Sequence, residues 1–392
     1  MFQPTTLNER IQTLDIIRGV SLLGILLVNI FAFSLPLPHV QDLNSWFTDI
    51  HDQLNYQKLD IYVQGSFYPL FSMLFGYGLA MQYMKAQQRT GAKFYSFAAK
   101  RLLILMMIGL MHAFLLWWGD IITLYAVFGL FVILLLRFSS GLLLSVALIL
   151  NGFFHVLIIL LYAMSGIATS EYETFVDISA IENAIAAYGV GTWTDAFLQR
   201  LQDLSVQMSP AMWVSAVFTI FPYMLVGAAA AKWRLVERAK ELKGLWIFLA
   251  VFCIAVGLFL KSFPFHATRT YLWEYIRVYV GGPMLAVGYA SLIAVLCLIP
   301  FVPKLLSPIA KAGRMSLTLY IMQSIICTLL FYHYGFGLYG KVDVVMGIVI
   351  AISIYIVQAA FAEIWFIKFR QGPLEYIVKR LAYGKTLKKV EP

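Results

Sequence analysis

The chain is predicted to be all-α, a polytopic membrane helix bundle, and three observations predict it. Hydrophobic residues fill 61% of its 392 positions. Charged residues fill only 12%, about half the ~25% typical of soluble domains. Apolar runs of about 18–23 residues recur from end to end, each long enough to cross a ~30 Å hydrocarbon core. Lipid offers no partner to an open strand edge, so these runs must be helical. Ten spans are expected, near 15–35, 66–84, 102–118, 121–136, 141–163, 211–231, 245–261, 277–299, 315–335 and 343–367. Residues 1–367 thus form the transmembrane bundle and 368–392 a basic amphipathic tail, with no room for a separate soluble domain.

The basic residues orient the bundle. Segments 85–101, 232–243, 304–314 and the tail fall on one side and, with Arg10, Arg18 and Arg137, carry 23 of the 29 Lys and Arg. The other side carries 13 of the 20 acids, including Asp42, Asp60, Asp195 and Asp203. Both termini are therefore placed in the cytoplasm, on the inner side. The net charge of +9 is a topology signal facing anionic lipid, and no nucleic-acid partner is expected. No cleavable signal peptide is expected either, because the first apolar run is long and carries Asp15 and Arg18. The three cysteines, Cys253, Cys297 and Cys327, each lie inside an apolar run without a Cys-x-x-Cys spacing. They read as packing side chains, and no metal site is expected.

The connecting segments hold further helices. In the outer segment 164–210, Ile178, Ile181 and Ile185 share one face, and Phe197, Leu201 and Leu204 share another after a Thr192-x-x-Asp195 capping pattern. Gly281–Gly282–Pro283 is expected to break or kink the eighth span. After Gly372–Pro373, the residues Leu374, Ile377, Val378 and Leu381 form a helical stripe flanked by Lys379, Arg380 and Lys385. That pattern suits an interfacial helix on an anionic leaflet.

Ionisable groups at membrane depth are costly, so each is a functional candidate. Asp15 and Arg18 are three apart and can pair on one helix face. Arg18 and Asn29 are eleven apart, a rotation of about 1100°, which puts both on one stripe about 16 Å apart along the axis. Arg101 and His112 in the third span repeat that spacing. Asn29, His112 and the pair Asn151–His155 fall in the outer half, and Asp120 at the outer rim. Cations at an inner mouth suit a phosphate-bearing anion, and an imidazole deeper in suits a general base or acyl acceptor. Snorkelling anchors and interhelical hydrogen bonds are the structural alternatives for the same residues. Gly313-Arg314-Met315-Ser316 opens the ninth span, where a helix N-terminus can receive an anion or a basic residue can simply anchor the inner side.

At these residues the chain resembles the YeiB family of bacterial membrane proteins, also called DUF418, over nearly its whole length. The resemblance rests on Arg10-Ile-Gln-Thr-Leu-Asp15-Ile-Ile-Arg18-Gly19, Phe71-Ser72-Met-Leu-Phe75-Gly76, Gly109-Leu-Met-His112 with Gly119-Asp120-Ile121, Gly313-Arg314-Met-Ser316-Leu317, and Gly372-Pro373-Leu374-Glu375-Tyr376. It departs where Leu319 stands in place of a usual Asn. More remotely, the family is similar to the transmembrane acyltransferases, namely the heparan-glucosaminide acetyltransferases and the acyltransferase-3 enzymes. That similarity implies transfer of an acyl group from cytoplasmic acyl-CoA to an acceptor across the membrane. The acyltransferase-3 pattern is Arg-x10-His in the first span; Arg18 fits it, but Asn29 occupies the histidine position, and an amide is no base. The Arg101–His112 pair is the substitute by spacing alone.

The leading expectation is an acyl-CoA-dependent transferase. Arg18, Arg101 and Arg314, with Asp15 and Ser316 beside them, would hold the donor; His112, Asn29 and Asp120 would do the chemistry. A small-solute transporter is the alternative, although no pair of broken helices in matching halves supports it. A membrane scaffold would need none of these polar residues. The acyl chain, the acceptor and the oligomer stay open, a homodimer among them.

Overall fold

The computed structural model describes residues 11–40, 42–43, 46–88, 94–173 and 176–383. The described residues form α1 (Gln12–Ser34), α2 (Ile50–Tyr62), α3 (Phe67–Gln87), α4 (Phe94–Leu115), α5 (Ile122–Leu135), α6 (Ser140–Ser165), α7 (Ile178–Ile185), α8 (Trp193–Gln207) and α9 (Pro210–Thr219). The chain continues through α10 (Phe221–Lys232), α11 (Lys243–Ser262), α12 (Tyr271–Ile276), α13 (Gly282–Leu296), α14 (Val302–Leu305), α15 (Ser307–Arg314), α16 (Ser316–Phe331), α17 (Val344–Lys368) and α18 (Pro373–Tyr383). It is an all-α polytopic bundle, with a helix at each of the ten expected positions.

Seven helical spans, or eight when α15 and α16 count as one span bent by 85°, are long and apolar enough to cross a bilayer among the described residues. The count falls short of ten at α3 and α5. Helix α5 has 14 residues, about 21 Å of rise, and α3 carries tyrosines, glycines and Gln82 where a lipid-facing helix has aliphatics. Helix α3 packs against α10, α1, α13 and α5 and needs no lipophilic surface all round, whereas α5 keeps Phe131 and Leu134 exposed and misses on length alone. The opposite case is α6, where only Leu143, Ala147 and His155 are buried and many of the other residues are exposed. Helix α1 runs through the centre.

Contacts between connecting segments keep to the two sides that the charges define. On the inner side Lys311 pairs with Glu363, Tyr77 bonds Glu237, and Lys232 reaches the Phe138 carbonyl. On the outer side Arg269 pairs with Asp42, and the Val344 amide donates to Asp52. The Thr192 hydroxyl accepts from the Asp195 amide and the Asp195 carboxylate accepts from the Thr192 amide, a closed capping box at the start of α8. Where Gly281–Gly282–Pro283 was expected to break the span, Arg277–Gly281 forms a π-helical turn between α12 and α13. The stripe expected on α18 divides: Val378 is buried, while Ile377 and Leu381 are exposed. Residues 384–392, which complete the expected tail, lie outside the described residues, as does Arg10.

Two helix crossings depend on glycine. A Cβ on Gly76 would stand 1.9 Å from the Met224 carbonyl oxygen, and one on Gly227 would stand 1.8 Å from that of Met73. The α3–α10 crossing is thus backbone against backbone. The α1–α15 crossing is built the same way: a Cβ on Gly313 would stand 1.9 Å from the Asp15 carbonyl oxygen and one on Gly19 2.2 Å from that of Ile309. Gly227→Ala forces α3 and α10 apart, an overpacking cost of about 1–3 kcal/mol or more. The expected result is a clearly lowered unfolding temperature in detergent, whereas Gly141→Ala, where a Cβ meets open space, leaves it within error.

Candidate active site

Helix α4 ends where its last turn meets the sequence Trp117–Trp118–Gly119–Asp120, and this turn builds the site. The Asp120 carboxylate caps α5: its Oδ2 accepts the Thr123 amide at 2.8 Å, as a side chain at a helix start does. Its Oδ1 lies 2.9 Å from Nδ1 of His112. Gly109 allows this closeness, since a Cβ there would stand 2.6 Å from the Thr123 nitrogen and 3.0 Å from Asp120 Oδ2. The other ring nitrogen, Nε2, lies 2.8 Å from Oγ of Ser324 on α16. The carboxylate is acceptor-only, which assigns the proton to Nδ1 and leaves Nε2 to accept from the serine hydroxyl. His112 is 2% exposed, Asp120 0% and Ser324 1%. Tyr320 and Trp117 pack their rings 5.2 and 6.2 Å from the imidazole, and the Tyr320 hydroxyl donates to the Gly119 carbonyl at 3.2 Å.

An outer cap is clamped onto this end of α4. Buried Arg200 of α8 donates through Nη1 to the Phe114 and Leu115 carbonyls at 3.2 and 2.9 Å, a cation on a helix C-terminus. One turn further, Asp203 accepts from Tyr188 at 2.7 Å and from Gln199 at 2.9 Å, and meets His39 at 3.0 Å.

Asn29 is half-buried and makes no side-chain hydrogen bond among the described residues. One turn beyond it, Phe33 stacks on Trp117 with ring centroids 4.0 Å apart, so the outer end of α1 meets the surroundings of His112. At the inner end Asp15 accepts from Arg18 at 2.8 Å. The Arg18 guanidinium also lies within electrostatic range of Arg101, as does Tyr383 of α18. Arg18, paired to Asp15, and Arg101 thus bring cationic groups of α1 and α4 to the same inner end.

Arg314 and Ser316 sit elsewhere on the inner rim. The Arg314 guanidinium lies 4.1 Å from the Phe366 ring centroid and donates to the Arg370 carbonyl at 3.2 Å. The first amides of α16 are already filled. Glu375 of α18 accepts the Leu317 and Thr318 amides at 2.9 and 3.2 Å and the Thr318 hydroxyl at 2.6 Å. The helix start that was expected to draw an anion is thus filled by a carboxyl group of the chain itself. Burial holds the Glu375 carboxyl above the usual carboxylate range despite these donors. The docked form keeps its proton to higher pH than the undocked form, so docking is strongest below the ordinary Glu pKa and weakens as pH rises through the raised one. Glu375→Ala leaves two amides unpaired, a cost of about 1–3 kcal/mol each. Limited proteolysis is expected to cut before α18 in that variant and to spare the parent.

A family model described as a protein of unknown function, DUF418, matches residues 230–385. The chain is 34% identical to the uncharacterized protein YxaH of Bacillus subtilis (strain 168), across 97% of this chain and 96% of that one. The chain belongs to the DUF418 family. This DUF418 protein is also 31% identical to the uncharacterized protein YeiB of Escherichia coli (strain K12), covering 95% of it and 96% of YeiB. It is 26% identical to an uncharacterized 39.9 kDa protein encoded in the amylase 3' region of Bacillus acidopullulyticus, over 97% of this chain.

Two polar groups of the DUF418 protein stand apart from the His112 site. On α6, Asn151 and His155 bond each other at 3.0 Å, and His155 bonds the Tyr275 hydroxyl at 2.7 Å. At the C-terminal end of α12, Arg277 lies between Asp60 and Glu274, and Arg269 joins Glu274 to Asp42. Fully buried Lys261 donates to the Gln64 carbonyl beside them. Sequence reasoning placed Lys261 and Arg277 at span edges and passed over them, although intramembrane charge was the available signal. It missed Ser324 entirely, because a serine inside an apolar helix carries no signal of its own. No group of three or more His, Cys, Asp or Glu side chains is placed to hold a metal ion among the described residues.

Proposed function

We propose that this DUF418 protein is an acyltransferase of the bacterial cytoplasmic membrane, taking an acyl group from cytoplasmic acyl-CoA and passing it to an acceptor near the outer face. The buried Asp120–His112 pair is the observation that carries this reading. A carboxylate on Nδ1 fixes the tautomer, orients the ring and stabilises the imidazolium formed when Nε2 takes a proton. Arg18 and Arg101 would hold the CoA phosphates at the inner end, because converging guanidiniums favour a multiply charged anion. From Arg101 to His112 is eleven residues of α4, about 16 Å, the span the donor's arm would cover. The filled start of α16 leaves Arg314 and Ser316 a lesser share in donor binding, and Asn29 would line the path without acting as a base.

The test is release of free thiol from acyl-CoA by the purified protein and by His112→Ala. Loss of the general base lowers turnover by at least about 100-fold. Absence of any acyl-CoA-dependent release in the parent protein would end the proposal. The ion cluster at Arg277, beside a π-helical turn, favours solute transport as a second reading. Solute flux into proteoliposomes without a covalent product would select it.

A further inference from the structure

We propose that Ser324 is the acyl-accepting nucleophile, so that transfer proceeds through an ester on α16. This inference rests on the acyl-transfer reading and adds to it a covalent step. Asp120, His112 and Ser324 come from the α4–α5 turn, α4 and α16, and they form one continuous chain of contacts at 2.9 and 2.8 Å. The order of groups is carboxylate, imidazole, hydroxyl, which is the arrangement that activates a serine.

The way the hydroxyl is turned separates this role from packing. A serine buried in a helix ordinarily bonds the carbonyl four residues back. Ser21, Ser72 and Ser291 do so here, at 2.8, 2.7 and 2.7 Å. Ser324 stands 3.4 Å from the corresponding Tyr320 oxygen and 2.8 Å from the imidazole nitrogen. The imidazole is thus its shorter partner, with the backbone carbonyl the longer one. A second observation lies alongside. Trp117 is 1% exposed and packs against His112, yet its indole N–H has no hydrogen-bond partner. A buried donor left unpaired is costly, and in this proposal it serves the carbonyl oxygen that gains charge.

The steps balance without any further reactant. Ser324 Oγ gives its proton to His112 Nε2 and attacks the thioester carbonyl carbon. The carbon–sulfur bond breaks, and the leaving thiolate takes that proton, giving free CoA and an acyl ester on Ser324. The acceptor hydroxyl or amine then gives a proton to His112 and attacks the ester carbon. The Oγ–carbon bond breaks, and Ser324 recovers its proton.

An alkyl fluorophosphonate, which phosphonylates activated serines, tests the assignment on the full-length protein in detergent. Mass spectrometry of the digest is expected to place the adduct on Ser324, at a rate at least ~100-fold lower in His112→Ala and Asp120→Asn. Size-exclusion profiles matching the parent confirm that these variants are folded. No adduct on Ser324 of the parent protein, or labelling that proceeds equally without His112, overturns the proposal. Acyl-CoA turnover then separates the two claims. If Ser324→Ala keeps full turnover while His112→Ala loses it, transfer is direct and Ser324 is no nucleophile. If Ser324 labels in a His112-dependent way but no acyl-CoA is consumed, the nucleophile stands and the donor assignment falls. Ser324→Cys, which keeps a nucleophile, is expected to retain burst release of one CoA per protein, and Ser324→Ala to lose it.

Discussion

Asp120→Asn is expected to lower acyl-CoA turnover by roughly three to four orders of magnitude with the fold intact. The reason is a count of donors and acceptors. Asp120 uses one oxygen for the Thr123 amide and the other for His112 Nδ1. Asparagine has one oxygen and one NH2. If the oxygen stays on the Thr123 amide, the NH2 faces Nδ1 and turns it into an acceptor. The ring proton then moves to Nε2, where it faces Ser324 as a donor and takes no proton from anything. The reverse placement sets an NH2 against the Thr123 amide and costs about 1–3 kcal/mol. The first placement is therefore favoured and loses the tautomer; the second keeps the tautomer but lacks the negative charge that stabilises the imidazolium. Turnover per folded protein, paired with an unfolding curve, reads the result; parental turnover in this variant contradicts the assignment of His112 as base.

Arg277→Met is expected to carry the largest stability loss, about 3–5 kcal/mol. Both carboxylates beside Arg277 are almost fully enclosed. Glu274 keeps Arg269 at 2.9 Å after the change, so the penalty falls on Asp60. One oxygen of Asp60 already lacks a hydrogen-bond partner, and the other loses its guanidinium. Removing both charges together, as in Asp60→Leu with Arg277→Met, removes the orphan at Asp60 and leaves only Glu274 Oε2 without its Arg277 donors, so it is expected to recover part of the loss. Unfolding of the single and double variants in detergent checks this. A single variant as stable as the parent would mean that water or lipid headgroups already solvate the cluster.

The bundle was largely legible because its signals are local. Apolar length marks helices, and basic residues mark the inner side. The capping box at Thr192 and the irregular turn before Pro283 were each visible within a few residues. The span count was less legible, because length and hydropathy report contact with lipid. Helix α5 is apolar but short and α3 is long but more polar, so each escapes one criterion. In the site, His112 and Asp120 stood out as polar groups eight residues apart at membrane depth. Ser324 is 212 residues from His112 in sequence, and only the packing of α16 against α4 brings it there. Glu375 filling the start of α16 was hidden for the same reason: a helix N-terminus announces that it wants an anion, and tertiary structure decides which anion arrives.

The central claim is that two guanidiniums at the inner end gather a CoA-bearing donor beneath a buried imidazole. Equilibrium binding of CoA to the protein in nanodiscs, compared with Arg18→Gln/Arg101→Gln, tests it most directly. Binding to the parent is expected to weaken with salt and to fall at least ~10-fold in the double variant, since charge-assisted bonds to phosphate are worth about 1.5–3 kcal/mol each. No binding to the parent, or equal binding without the two arginines, contradicts it.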